Sequence, residues 1–182
     1  MSNGYSGIIP GVIQRNSPNQ DDRPVGCAPD LLVIHNISLP PGEFGGPWID
    51  DLFMNSLDPA AHPYFAAIAS LRVSSHLLIR RDGEIIQYVP LQMRAWHAGE
   101  SCFDSKKGCN DYSIGIELEG SDDTKFTDAQ YLALAQITRD IQQRFPAITT
   151  DRITGHSDIA PGRKTDPGPE FDWERYIRDI TT

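Results

Sequence analysis

The sequence predicts an α/β fold, a single domain in which a central mixed β-sheet is flanked by α-helices. Residues 31–37, LLVIHNI, are apolar on both faces, which is typical of a strand buried inside a sheet. Residues 75–89 have the pattern of a β-hairpin, which makes the sheet mixed. Residues 127–145 carry apolar side chains at helical spacing. A chain of 182 residues is long enough to bury a substantial core in one such domain.

The first part of the chain combines loops, one strand and short helices. Residues 1–30 are rich in Asn, Pro, Asp and Gly and predict an irregular N-terminal arm. The strand over 31–37 follows, and PPGEFGG at 40–46 predicts a loop. Helical patterns predict two helices, over 48–57 and 62–71.

Two segments predict the rest of the sheet. In the hairpin, Asp82-Gly83 is a two-residue turn that tolerates positive φ angles. SIGIELEG at 113–120 alternates, as a strand with two different faces does. The apolar face comprises Ile114, Ile116 and Leu118, and the opposite face comprises Gly115, Glu117 and Glu119.

The second half of the chain contains the clearest helix, over 127–145. Thr127 and Gln130 form a capping box at its start, and Pro146 ends it. Its apolar stripe consists of Tyr131, Leu134, Ile137, Ile141 and Phe145. A shorter helix is predicted over 172–180, where it begins at an acidic cap.

Composition limits the possible partners and location. The formal net charge of −9 argues against binding to nucleic acid or to anionic membranes, since both need basic patches. No apolar run reaches the length of a membrane span, and the N-terminus lacks the pattern of a signal peptide, so we expect a cytoplasmic protein. The odd number of cysteines (Cys27, Cys102 and Cys109) favours free thiols, although Cys102 and Cys109 could in principle hold a metal.

Two histidines and two aspartates are candidates for a metal site. His35 lies near the C-terminal end of the buried strand, where α/β sheets often carry functional residues. His156 opens a loop, GHSDIAPGRKTDPG, that also contains Asp158 and Asp166. Two histidines, a carboxylate and a water molecule make a catalytic zinc site. The spacing does not choose between the two aspartates, and a core histidine and a loop histidine remain the alternatives.

Other polar residues suggest acid–base chemistry and ligand stacking. Glu117 shares a strand face with Glu119, and two like charges there would raise the pKa of one carboxyl group. Alternatively, both are ordinary carboxylates on an edge strand. Lys164 stands two residues before Asp166 and points the same way if the backbone is extended. Trp96 and His97 either stack on a sugar or peptide or pack in the core.

A series of motifs then identifies a resemblance to a known family. In order, they are LLVIHNISLPPGEFGG, DPAAHPYF, RVSSHLLIRRDGEIIQYVP, RAWHAG, CNDYSIGIELEG, FTDAQY and GHSDIAPGRKTDPGPEFDW. Together they resemble the cytoplasmic AmpD-type 1,6-anhydro-N-acetylmuramyl-L-alanine amidases of bacteria, which are zinc amidases that share a fold with peptidoglycan-recognition proteins. The resemblance runs from about residue 31 to 176. It divides the chain into the arm, 1–30, and a zinc amidase catalytic domain, 31–182.

The resemblance implies roles for individual residues. It implies that His35, His156 and Asp166 bind Zn²⁺, with Glu117 as the general base and Lys164 as the group that stabilises the oxyanion. More loosely, it implies a substrate groove lined by Asn36, Arg72, Trp96, His97 and Ala98. Relatives often have a basic residue where this chain has Gly108, which follows Lys106 and Lys107.

The implied reaction is hydrolysis of the amide bond between the lactyl group of (1,6-anhydro)-N-acetylmuramic acid and the L-alanine of a stem peptide. The partner would be a small muropeptide in peptidoglycan recycling, and we expect a monomer that binds neither nucleic acid nor membranes. One alternative is a muropeptide-binding protein without catalysis. A second is an exported amidase that attacks the polymeric cell wall.

Overall fold

The computed structural model describes residues 7–182, and its centre is a six-stranded mixed β-sheet. The strands are β1 (Ile13–Gln14), β2 (Gln20–Asp21), β3 (Leu31–Ile37), β4 (Leu77–Ile79), β5 (Ile85–Gln87), β6 (Arg94–Ala95), β7 (Cys102–Phe103), β8 (Lys106–Lys107), β9 (Ser113–Glu119) and β10 (Ile153–Gly155). The helices are α1 (Trp48–Phe53), α2 (Phe65–Ile68), α3 (Asp128–Arg144), α4 (His156–Ile159) and α5 (Trp173–Thr181). Two short 3₁₀ turns span Cys109–Asp111 and Thr150–Arg152.

The order of strands in the central sheet is β1-β5-β4-β9-β3-β10. Strands β4 and β5 pair antiparallel as a hairpin, whereas the other neighbours in this sheet are parallel. Two small antiparallel ribbons, β2–β6 and β7–β8, lie outside it. The predicted fold class, a mixed sheet flanked by helices, is confirmed.

The sheet is covered on both faces because its central strands are apolar on both sides. On one face, apolar side chains of β3, β4 and β9 pack under α3 and α5, where Leu134, Ile141 and Tyr176 are fully buried. On the other face, Leu78 and Ile86 pack against α1 and α2 through Phe53 and Phe65. Full burial of each such side chain contributes about 1.5–3 kcal/mol. Within residues 7–182, no helix combines the length and hydrophobicity needed to cross a membrane.

The long helix α3 forms as predicted. The Thr127 hydroxyl accepts a hydrogen bond from the Gln130 backbone N–H, and the Gln130 side chain accepts one from the Thr127 N–H, so the predicted capping box is present. Such a cap contributes about 1 kcal/mol. The shorter C-terminal helix α5 begins at the predicted acidic cap, Asp172, whose carboxylate accepts from the Arg175 N–H.

The structure corrects several predicted boundaries. Helix α2 begins at Phe65 rather than at residue 62, because His62 and Pro63 form a turn that is closed by the Phe65 N–H and the His62 carbonyl. Helix α1 ends at Phe53, soon before Asn55, whose φ angle is 61°. Both helices are therefore shorter than the periodicity predicted.

The hairpin turn also lies one residue earlier than predicted. The Gly83 N–H donates to the Arg80 carbonyl, so Arg81 and Asp82 occupy the turn. Gly83 follows with φ of +89°, a conformation that glycine adopts without steric cost.

The N-terminal segment is less irregular than predicted. Strand β1 adds to the sheet edge beside β5, and β2 pairs with β6. Arg23, which is mostly buried, anchors the segment by donating to backbone carbonyls. Its acceptors are the carbonyl oxygens of Leu91, Gln92, Asn110, Asp111 and Ser113. Residues 1–6 of the predicted arm lie outside the described residues, and the domain boundary at residue 30 stays a prediction.

Candidate metal centre and active site

The parallel pairing of β3 and β10 brings two histidines together. Gly155 at the end of β10 pairs with Ile34 of β3, so the next residues along each strand, His156 and His35, lie side by side. Both imidazoles are buried. The ends of parallel strands meet at one edge of the sheet, which is where α/β folds place their sites.

Asp166 reaches the same point from a loop that is bound on two sides. The Ser157 N–H donates to the Asp166 carbonyl, and the Asn36 side chain donates to the carbonyl of Pro167. The Asp166 carboxylate oxygen Oδ2 lies 2.9 Å from His35 Nδ1 and 3.0 Å from His156 Nδ1. The two Nδ1 atoms are 2.9 Å apart. Among the described residues, these three form a group whose ligand atoms can bind one metal ion.

The donor chemistry of the group fits a divalent metal. His156 Nε2 lies 3.0 Å from the Ala98 carbonyl oxygen, which can only accept, so the proton of a neutral His156 is on Nε2 and Nδ1 carries a lone pair. Burial lowers the pKa of His35 to about 4, so the His35 imidazole is neutral at pH 7. A carboxylate oxygen and imidazole lone pairs at 3 Å repel one another unless a cation lies between them. Two nitrogens and one oxygen, with a further position open, are the ligands of a catalytic metal site.

Glu117 lies beside this group on the neighbouring strand. It pairs with His35 in the register of β3 and β9, and its oxygen Oε2 is buried without a hydrogen-bond partner in the described part of the chain. Burial, reinforced by the negative charge of Asp166, raises the pKa of the Glu117 carboxyl well above its ordinary value, while Lys164 opposes the shift. A buried, unpaired carboxyl group of this kind is suited to proton transfer.

The predicted reason for the pKa shift of Glu117 was wrong. Glu119 does share its strand face, but the Glu119 carboxylate accepts hydrogen bonds from Arg80 and from the backbone N–H groups of Gly45 and Arg81. Glu119 therefore fastens the hairpin and the 40–46 loop, and desolvation is what raises the pKa of Glu117.

His156, Asp166 and Glu117 open onto a cleft of about 340 Å³, a volume within the range of small-molecule sites. Its polar lining residues are Asn36, Ser38, Tyr64, Ser74, Trp96, His97, Glu117, His156, Lys164 and Asp166. Its apolar lining residues are Ile37, Leu39, Pro41, Leu52, Phe53, Ile68, Leu71 and Val73. Such a cleft can hold a ligand that has both polar groups and apolar surface.

The structure brings together most of the predicted site residues. Asn36, Trp96, His97 and Lys164 line the cleft. Arg72 and Ala98 do not belong to the described residues that line it.

The contacts of the two remaining residues explain their positions. The Arg72 guanidinium donates to the carbonyls of Ser70 and Leu71. Ala98 is fully buried, and its carbonyl faces His156 instead. The geometry therefore gives no support to a substrate contact by either residue.

Asp158 has a structural contact instead of a place in the metal group. Its Oδ2 accepts from the Gly155 N–H at 3.0 Å and lies 3.2 Å from the Thr154 hydroxyl, so it caps α4. A cap at this point fixes the start of the helix that carries His156.

Sequence reasoning missed Asn110, which holds the segment that carries His97 and Ala98. Its Oδ1 accepts from the backbone N–H groups of both residues, at 3.1 and 2.8 Å. Nothing in the local sequence marks this long-range role. Gly115 was also missed, although a glycine inside a strand is a recognised signal of close packing, because a Cβ there would lie 2.6 Å from the ring of His97.

The sequence profile of the N-acetylmuramoyl-L-alanine amidases matches residues 25–169. The chain belongs to this amidase family. It is 62% identical over 166 residues to the 1,6-anhydro-N-acetylmuramyl-L-alanine amidase AmpD of Enterobacter cloacae, an alignment that covers 91% of this chain and 88% of the relative. The resemblance predicted from the motifs is confirmed, and with it the class of enzyme, an AmpD-type amidase.

Solved structures of related amidases agree with this assignment. A crystal structure of a selenomethionine derivative of AmpD matches with a TM-score of 0.94 at 58% identity, covering 97% of this chain and 98% of that one. The amidase AmiD of Escherichia coli matches with a TM-score of 0.62 at 31% identity, covering 86% of this chain and 60% of that one. That AmiD structure is a complex with the substrate anhydro-N-acetylmuramic acid-L-Ala-D-γ-Glu-L-Lys.

Proposed function

We propose that this amidase is a zinc enzyme that removes the stem peptide from small 1,6-anhydro-muropeptides in the bacterial cytoplasm, as part of peptidoglycan recycling. It hydrolyses the amide bond between the lactyl group of the sugar and L-alanine. The observation that carries the proposal is the convergence of His35, His156 and Asp166 at 2.9–3.0 Å beside the buried carboxyl group of Glu117. The muropeptide in the AmiD complex supports a substrate of this kind.

Three residues hold the metal, and two act on the reacting groups. Bound zinc would lower the pKa of its water to about 7 and polarise the substrate carbonyl. Glu117 takes the proton from the water and delivers it to the departing amine of L-alanine. Lys164, which also lines the cleft, stabilises the negative charge that forms on the carbonyl oxygen.

The cleft also has groups that can orient the substrate. Asn36 and Trp96 border it, and the Trp96 indole N–H donates to Asp21, which fixes the ring. We assign the substrate contacts to Asn36, Trp96 and His97. The apolar lining residues, which include Leu39 and Val73, offer surface to the carbon skeleton of the ligand.

The alternative, a muropeptide-binding protein without catalysis, is not favoured by the site. A protein that only binds has no need for a metal group and a neighbouring carboxyl group that is buried without a partner, since an unpaired buried carboxyl group destabilises the fold. Among residues 7–182, no hydrogen-bond partner at Oε2 of Glu117 offsets that cost.

The test is a mass-spectrometric product assay on a defined anhydro-muramyl tripeptide. We expect release of the intact tripeptide with the zinc-loaded protein, loss of activity after treatment with a chelator, and recovery when zinc is added back. Purified protein that contains no zinc and is not activated by zinc would contradict the zinc proposal. Turnover of intact cell-wall sacculi at the same rate as the anhydro-muramyl tripeptide would contradict the assignment to recycling.

A further inference from the structure

We propose that His97 and Ser113 are positioning residues that form a hydrogen-bond relay, which holds His35 with its proton on Nε2 and leaves Nδ1 free to bind the metal. The proposal rests on the metal site of the proposed function. The relay runs from a backbone carbonyl through two side chains to the metal ligand, and each of its three contacts is within hydrogen-bond distance.

The hydrogen bond between Ser113 and the Cys109 carbonyl determines the direction of the other two. The Ser113 hydroxyl lies 2.6 Å from the Cys109 carbonyl oxygen, which can only accept, so the single hydroxyl proton of Ser113 lies between these two oxygens. The same hydroxyl is 3.1 Å from His97 Nε2 and must accept there, so the proton of His97 is on Nε2. His97 Nδ1 therefore carries a lone pair.

The contact between His97 and His35 then sets the proton position of the metal ligand. His97 Nδ1 lies 2.9 Å from His35 Nε2, and since His97 has no proton on Nδ1, His35 must donate from Nε2. A neutral imidazole has one N–H, which leaves a lone pair on His35 Nδ1. That atom is the one that lies 2.9 Å from Asp166 Oδ2 and from His156 Nδ1.

Two observations show that the relay is a fixed part of the fold. Ser113 and Cys109 are buried, so water does not compete for the hydrogen bond between the Ser113 hydroxyl and the Cys109 carbonyl. Gly115 leaves the space that the His97 ring fills, because its missing Cβ would lie 2.6 Å from Cγ and Nδ1 of that ring.

Loss of the Ser113 hydroxyl would release the proton of His97. The His97 ring could then carry it on Nδ1, where it would face the N–H of His35, and two donors would meet at 2.9 Å. His35 would avoid this by moving its own proton to Nδ1, which removes the lone pair from the metal site. Loss of a partner that orients a metal ligand typically costs about 10- to 100-fold in affinity for the metal.

The first test compares Ser113→Ala with Ser75→Ala. Ser75 is an equally buried serine whose hydroxyl donates to the carbonyl of Gly115 at 2.7 Å, so both variants lose one buried hydroxyl–carbonyl hydrogen bond, and only Ser113→Ala breaks the relay. Zinc affinity of the full chain is measured by competition with a chelator of known affinity. We expect Ser113→Ala to bind zinc about 10- to 100-fold more weakly than the wild type and Ser75→Ala to stay within about 2-fold.

Nitrogen-15 NMR of the metal-free full chain gives a readout that a general loss of stability does not produce. We expect the proton of His97 on Nε2 in the wild type and in Ser75→Ala, and a substantial population on Nδ1 in Ser113→Ala. Equal zinc affinities and an unchanged proton position in the two serine variants would overturn the relay.

A second pair of variants keeps the proposal testable if Ser113→Ala does not fold. Asn and Leu have nearly the same shape, but only Asn offers an oxygen acceptor close to where His97 Nδ1 lies. We expect His97→Asn to retain zinc affinity within several-fold and His97→Leu to lose about 10- to 100-fold. Equal affinities in this pair would also overturn the relay. Failure of the wild type to bind zinc would instead reject the proposed function, so the two failures are distinct.

Discussion

Gly115→Ala adds one methyl group at the point where strand β9 passes closest to His97. The new Cβ would lie 2.6 Å from Cγ and Nδ1 of the His97 ring, whereas ordinary contacts of this kind are 3.4–4 Å, so the ring must move by roughly 1 Å. A shift of that size carries the ring out of hydrogen-bond range of both His35 and Ser113, which now lie at 2.9 and 3.1 Å.

The size of the effect follows from these contacts. The loss of two partly buried hydrogen bonds, at about 1 kcal/mol each, and overpacking of about 1–3 kcal/mol destabilise the folded state. The lower entropy of an unfolded chain with alanine offsets about 0.4–1 kcal/mol. We therefore expect the metal-free protein to lose about 2–4 kcal/mol of unfolding free energy in urea titrations. Zinc affinity, measured by chelator competition, falls by at least about 10-fold because His35 loses its partner.

Gly120→Ala is the matched control for overpacking. Its Cβ would lie 2.5 Å from Cε1 of Phe126, a core side chain that has no contact with the relay, and its backbone does not require a positive φ angle. We expect a comparable loss of stability and an unchanged zinc affinity. If Gly115→Ala and Gly120→Ala bind zinc equally well, then the close packing of Gly115 on His97 serves stability alone, and the reasoning is refuted.

Three further variants test the roles of single residues in the site. Glu117→Gln keeps zinc, measured by metal analysis, and lowers kcat about 10²- to 10⁴-fold, because the proton acceptor is gone; a rate near that of the wild type would contradict the assigned base. In metal-free protein the pKa of Glu117 is raised, so the protonated carboxyl group stabilises the folded state below pH 4.5 and this contribution is lost as the pH rises. We therefore expect Glu117→Gln to be more stable than the wild type in urea at neutral pH and no more stable at pH 4. Lys164→Met lowers kcat about 10²- to 10³-fold with zinc content unchanged, and loss of the metal itself would show a structural role instead. His35→Ala loses both zinc and activity, and stoichiometric zinc in this variant would exclude His35 as a ligand.

The sequence alone predicted the sheet and the long helix because local pattern and burial agree there. The strands predicted over 31–37 and 113–120 form as Leu31–Ile37 and Ser113–Glu119, since they are short and bounded by turns, and the alternation of the second follows its two faces. The cap at Thr127 set the start of α3 correctly. The short helices α1 and α2 were overestimated, because periodicity does not register the turn at His62.

The sequence predicted most residues of the candidate site but not the contacts between them. Spacing left Asp158 and Asp166 equivalent, and the family resemblance favoured Asp166 before the structure showed that Asp158 caps α4. The pairing of Glu119 with Arg80 and the contact of Ser113 with His97 depend on residues that are distant in the chain. Such contacts leave no periodic signal, so the predicted source of the Glu117 pKa shift was wrong and the relay was not foreseen.

The register of β3 and β9 has a consequence for folding. Ser113, Gly115 and Glu117 point to the site, while the residues between them point into the core under α3, so a slip of one position would exchange the two sets. Such a slip would expose Ile114 and Ile116 and bury charge, and the fold would lose much of its stability. A chain that packs its apolar core correctly therefore also places these three residues at the site. With zinc supplied in excess, we therefore expect the specific activity of the enzyme to rise and fall with the folded fraction.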